Sequence, residues 1–273
     1  MSEQNERHPM TTKRVLYEIA GMNDVRVRRD VEYGPSRAGS LTMDVYCPPA
    51  EATAPLPAIV IVSGYPDEGF RRMLGCPFKD MASSVSWAQL LALSGIVAIA
   101  YTNREPVRDL DSLFEFLVDN AAGLGVDERR VGLFATSGHG PLALSRLATN
   151  ASMPLRSLIL CYSYTMDLEN HAAVADAARQ WRFANPLAGR SVDDLRRDVP
   201  MFIARAGADE MPGLNPALDR FITNALARNL PLTVVNEPTA PHAFDLVHDT
   251  HATRQIVERI LTFARSTLSV AEA

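Results

Sequence analysis

Apolar positions along this chain follow two alternating rhythms. From residue 57 onward, short unbroken apolar runs recur: PAIVIVSG (57–64), GIVAIAYT (95–102), RRVGLFA (129–135), RSLILCYS (156–163), PMFIARAG (200–207) and PLTVVNE (231–237). Runs of this kind predict strands buried on both faces of a parallel sheet. Two earlier stretches, DVRVRRDVEY (24–33) and LTMDVYCP (41–48), alternate polar and apolar residues and predict half-exposed antiparallel strands. Helical spacing falls between the runs. Leu110, Leu113, Phe114, Leu117 and Val118 recur at helix intervals, with Gly123 or Gly125 to end the helix. Leu218, Phe221, Ile222 and Ala225 share one face behind an Asn215–Pro216 start, and Ile256, Val257, Ile260, Leu261 and Phe263 share the inner face of a last helix.

This alternation is too regular for two separate domains and predicts one α/β layered domain over residues 13–268, with the two antiparallel strands at one edge of the sheet. Its 273 residues, 47% of them hydrophobic, suffice for one large core. Residues 1–12 read as a disordered tail, and the final SVAEA as a frayed end. The stretch 164–198 breaks the rhythm. It is longer than a crossover helix needs and carries Trp181 and Phe183, which predicts a small lid over the carboxyl ends of the strands.

A net charge of −5 offers no basic field for nucleic acid or anionic lipid. The first residues, MSEQNERHPMTTKR, lack the apolar segment of a secretory signal, and no run of eighteen apolar residues predicts a membrane span, so a cytoplasmic protein is expected. Cys47, Cys76 and Cys161 form no CxxC pair and read as reduced, mostly buried residues. Oligomeric state is left open, a homodimer included.

The chemistry concentrates at strand ends, where ligands bind in an open parallel sheet. Ser137 lies in VGLFATSGHGPLAL, between the central-looking strand and a helix. A serine there can sit on a tight turn with its hydroxyl exposed, while the Gly138 N–H and the helix amino end face a developing negative charge. Serine needs a histidine base, and the histidine a carboxylate. Of six histidines, only His242 occupies a proline-punctuated loop directly after a buried strand; Asp209 follows the strand MFIARAG, with Glu210 as its rival. His248 and His251, three apart near the start of the last helix, read as surface residues and complete no metal set. His139 beside the turn reads as structural or as a substrate contact, Arg104 as a carboxylate binder or a partner of Glu105 or Asp109, and Tyr162, Tyr164, Trp181 and Phe183 as pocket wall or core.

The elbow ATSGHG, the acid loop RAGADEMPG, the histidine loop PHAFD and the loop VSGYPD after the third strand together resemble the α/β-hydrolase fold, and within it the dienelactone hydrolase family, over roughly residues 25–265. The resemblance implies Ser137 as nucleophile, Asp209 as acid, His242 as base, and backbone N–H groups of Gly138 and Tyr65 as the oxyanion hole. It implies a small carboxylic ester or lactone as substrate, with no metal or organic cofactor. Amidase, peptidase or acyltransferase chemistry on the same triad, or a silent ligand-binding protein, are the alternatives. Two departures stand out: serine replaces the family's cysteine, and Ala135 and His139 replace the two glycines of G-x-S-x-G.

Overall fold

The computed structural model describes residues 8–34, 39–148 and 154–269. Its strands are Arg26–Gly34 (β1), Leu41–Cys47 (β2), Leu56–Ile61 (β3), Val97–Tyr101 (β4), Val126–Thr136 (β5), Leu155–Cys161 (β6), Met201–Ala206 (β7) and Leu232–Glu237 (β8). They form one eight-stranded sheet in the order β1-β2-β4-β3-β5-β6-β7-β8. β1 pairs antiparallel with β2, and β2 with β4; the remaining pairings are parallel. The helices are Asp67–Leu74 (α1), Ala82–Leu93 (α2), Pro106–Leu124 (α3), Gly140–Ser145 (α4), Ala173–Trp181 (α5), Leu214–Ala227 (α6), Phe244–Val247 (α7) and His251–Leu268 (α8).

The unbroken apolar runs follow from helices covering both faces. In β3, Ala58 and Val60 point into a core shared with α3, α4, α5 and α6, while Ile59 and Ile61 point into a second core shared with α1, α2, α7 and α8. A two-residue side-chain period feeding two apolar layers leaves no polar position in the strand. Helix α3 starts with proline in its first turn and ends where Gly125 takes a φ of 71°.

Several expectations need correction. PLTVVNE is an edge strand: β8 pairs only with β7, and Val234 is 38% exposed. Its apolar content reports β propensity, not burial. Helix α6 begins at Leu214 behind Gly213, and the Asn215 amide, instead of capping, donates to the Ala206 carbonyl at 2.8 Å. Val118 is exposed on α3. The tail expected over 1–12 is ordered from His8: Pro9–Thr12 form a 3-10 turn, Thr11 is buried, and the His8 N–H reaches the Leu74 carbonyl. Residues 1–7, and 270–273 of the expected frayed end, lie outside the described residues. Cys76 and Cys161 are buried and Cys47 is half-buried.

The stretch 164–198 contains α5 and a 3-10 turn, Val192–Asp194. Its later part packs Leu187, Val192 and Leu195 into the α3–α6 core. Its earlier part passes over the end of β3, where the Ala184 N–H bonds the Gly64 carbonyl at 2.8 Å. No helix among the described residues is long and apolar enough to cross a membrane.

Candidate active site

Three strand-end loops converge. Ser137, at the end of β5, takes a φ of 50°, a left-handed conformation that a non-glycine residue holds only under constraint from its surroundings. The constraint is visible: its carbonyl accepts the Ser163 hydroxyl at 2.8 Å and the Tyr164 N–H at 3.1 Å, both from the segment leaving the neighbouring β6. The turn projects Ser137 Oγ to 2.9 Å from His242 Nε2. His242 Nδ1 lies 2.7 Å from Asp209 Oδ2, and the Asp209 side chain is fully buried. The other Asp209 oxygen accepts the Met211 N–H at 2.9 Å. A buried carboxylate on Nδ1 holds the imidazole proton there, so Nε2 presents its lone pair to the serine hydroxyl. Glu210 points to solvent and takes no part.

The altered elbow has a steric explanation. Gly140, rather than residue 139, makes the close approach: a Cβ there would overlap the Ser163 hydroxyl and the Tyr164 carbonyl. Ala135 is small enough to be fully buried in β5. His139 is therefore free to carry a side chain, and its ring is buried under the Ser63–Tyr65 loop. It stacks on Phe78 at 4.1 Å and meets the edge of Tyr65 at 4.9 Å. Its Nδ1 accepts the Gly64 N–H at 2.8 Å. Burial drives its pKa down to about 3, so the ring is a neutral acceptor. A Cβ on Gly64 would press on the Gly138 carbonyl and His139 Cα, so this loop lies directly against the elbow. The N–H groups of Tyr65 and Gly138 donate to no acceptor among the described residues, and two such free donors beside a serine hydroxyl suit a developing oxyanion.

Behind Ser137 lies a cavity of about 530 Å³, lined by residues from the 3-10 turn at Pro9–Thr12, α1, α2, β5, the histidine loop and α7. Tyr162 and Trp181, singled out in the sequence, both line it. Tyr162 also packs edge-on against His242 at 5.1 Å. Tyr164 and Phe183 instead stack on each other in the core, 5.4 Å apart. Arg104 is not at the site: its guanidinium donates to the Gly39 carbonyl on the sheet's antiparallel side, and its N–H to Asp109. His248 and His251 do not line the cavity, and no group of three His, Cys, Asp or Glu among the described residues could hold a metal.

Sequence reasoning missed part of the cavity's wall. Asp245 is buried there, accepting Trp87 Nε1–H at 2.7 Å and the Tyr162 hydroxyl at 2.8 Å; burial raises its pKa. Ser84 of α2 also lines this wall, and its buried hydroxyl has no protein partner. The available signal was Asp245 itself, three residues after His242, on a short helix that cannot expose it.

No family model matches the chain, and no curated protein matches it in sequence. Solved structures do match. The chain is similar to the esterase LipW from Mycobacterium marinum, with 17% identity over 96% of both chains and a TM-score of 0.66. It is also similar to a hyperthermophilic esterase from the archaeon Pyrobaculum calidifontis, with 19% identity over 90% of this chain and 87% of that one, TM-score 0.67. A bacterial heroin esterase gives 14% identity over 90% and 86%, TM-score 0.69. At these identities the likeness shows the fold, which is that of the α/β-hydrolases.

Proposed function

We propose that the protein is a serine hydrolase that cleaves carboxylic esters or lactones through an acyl-enzyme. The observation that carries this reading is the relay Ser137 Oγ–His242 Nε2 (2.9 Å) and His242 Nδ1–Asp209 (2.7 Å), set on a left-handed turn in the wall of a cavity of about 530 Å³. The esterase names of the structural neighbours agree with it. Within the fold, the loops VSGYPD, ATSGHG, RAGADEMPG and PHAFD resemble those of the dienelactone hydrolases, with serine in place of cysteine.

In this reading Ser137 Oγ attacks the ester carbonyl as its proton passes to His242 Nε2. The carbonyl oxygen becomes negative and is held by the Tyr65 and Gly138 N–H groups. Collapse returns the proton from His242 to the leaving alcohol. Water, deprotonated by the same nitrogen, then attacks the acyl-serine, and collapse restores the Ser137 hydroxyl and frees the acid. Asp209 keeps the imidazole in register and stabilises it while it is charged.

Ser137→Ala is expected to leave the circular dichroism and melting curve unchanged and to lower turnover of 4-nitrophenyl acetate by about 10⁴-fold or more. A fluorophosphonate is expected to modify Ser137 alone, read by peptide mass spectrometry. Undiminished turnover in Ser137→Ala, or labelling at another residue, overturns the assignment.

A further inference from the structure

We propose that the acyl group this site accepts is neutral, apolar and longer than butyryl, and that it fills the closed arm of the cavity, so that acyl groups ending in a carboxylate are excluded. The proposal rests on the reading of Ser137 as nucleophile.

Exposure along the cavity wall gives it a direction. Met73 is 58% exposed and Trp181 40%, whereas Trp87, Phe134 and Ile61 are each 3% exposed or less. The first two mark a mouth and the last three a dead end, with Ser137 and His242 in the wall of the same cavity. A dead end decides which half of the ester enters it. The alcohol must depart while the acyl group is still bonded to serine, and an alcohol lodged behind the acyl group has no exit. The acyl chain therefore takes the closed arm and the alcohol faces the mouth.

The size and chemistry of the wall then set the class. About 530 Å³ is far more than an acetyl group fills, given that one water occupies ~30 Å³ in the liquid. Phe70, Phe78 and Met81 continue the apolar lining, and no lysine or arginine is among the described lining residues. The sequence candidate for binding a substrate carboxylate, Arg104, does not line the cavity, and its guanidinium donates to the Gly39 carbonyl. The lining also includes Asp245, whose two carboxyl oxygens already accept one donor each, one of those donors being the hydroxyl of the Tyr162 that packs on His242. A substrate carboxylate in this arm would lose its water, meet no lysine or arginine and face another carboxyl group. An alkyl chain loses nothing.

The test is kcat/KM for 4-nitrophenyl acetate, butyrate, hexanoate and octanoate, beside the adipate half-ester, which matches hexanoate in length but ends in a carboxylate. Transfer of each methylene into an apolar cavity is worth about fourfold, so octanoate is expected to exceed acetate at least fiftyfold, and hexanoate to exceed the half-ester at least a hundredfold. Ser84→Phe, which adds bulk to the cavity wall at α2, should lower the octanoate-to-acetate ratio at least tenfold. Calorimetry on Ser137→Ala, with 2-octanone against 2-butanone, reads the same arm without turnover and should show at least tenfold tighter binding of the longer ketone. Ser137-dependent turnover that is flat with chain length, or equal for hexanoate and the half-ester, overturns the proposal and leaves the hydrolase reading standing. Chain-length-dependent ketone binding without Ser137-dependent turnover of any ester overturns the hydrolase reading and keeps the cavity's ligand class. Failure of both measurements overturns both.

Discussion

Ser137 and His139 divide the work of the elbow between them. The first is forced into a left-handed backbone by two hydrogen bonds on its carbonyl; the second fills the position usually given to glycine and holds the Gly64 N–H. His139 leaves a mark on stability. Its pKa falls from 6.5 in the unfolded chain to about 3 in the fold, so it contributes stability above pH 6.5 that is lost as the pH drops toward 3, by about 1.4 kcal/mol per pH unit. Asp67 acts with the opposite sign. Burial lifts its carboxyl from 3.8 to about 6, so its contribution is present below pH 3.8 and is lost as the pH rises through 6. Between about pH 4 and 6 the two slopes offset each other. His139→Gln keeps an acceptor for Gly64 but cannot titrate. Urea unfolding at pH 4, 5 and 6 should show the variant gaining on the wild type by about 1.4 kcal/mol per unit of acidification, and parallel profiles would refute the assignment. Legibility differed residue by residue. Ser137, Asp209 and His242 could be placed because each directly follows a strand, a position the sequence reports. Glu210 could not be dismissed before the loop's geometry was known, and the two roles open to Arg104 could not be separated because sequence adjacency to a strand end does not say which way a long side chain turns.

Among the elements, the 3-10 turn Phe78–Asp80 links the site to the antiparallel edge of the sheet. Phe78 stacks on His139, while Lys79, its side chain 7% exposed, bonds Asp44 of β2 at 2.9 Å and Asp30 of β1 at 3.0 Å. The Asp44 side chain is fully buried. Lys79→Met leaves that buried carboxylate with the exposed Arg29 as its remaining cation, beside the Asp30 N–H that donates to it at 3.0 Å, and is expected to cost about 3 kcal/mol in urea unfolding. Adding Asp44→Leu should recover part of the loss, since no buried charge then lacks a partner; a further loss in the double variant would show the cluster to be stabilising in its own right. The central parallel strands were readable as unbroken apolar runs, and α3, α6 and α8 because each buries a periodic apolar face. β8 was misjudged because an edge strand and a central one share the same residue preferences. Helices α1 and α2 were not read, although they build the cavity wall. α2 is buried on nearly every side and shows little apolar-polar alternation, so periodicity is silent there.

Taken whole, the molecule is two apolar layers sharing one sheet, and β3, β5 and β6 feed both. Neither layer can open without exposing the backs of these strands, so unfolding is expected to be one cooperative event. The chain has two tryptophans, Trp87 in the α2 layer and Trp181 at the cavity mouth. In Trp181→Phe, the fluorescence transition of Trp87 should coincide in urea with the far-ultraviolet circular dichroism, and separated midpoints would reveal independent layers. The wall that has no lysine or arginine also bears on what happens after catalysis. In the proposed reading, hydrolysis would turn an uncharged ester into an anion inside surroundings that suit uncharged guests. The product becomes a poor ligand at the moment it forms. Its departure is then favoured by the dehydration it suffers there, and the free acid should compete with substrate far less well than an uncharged amide of the same length.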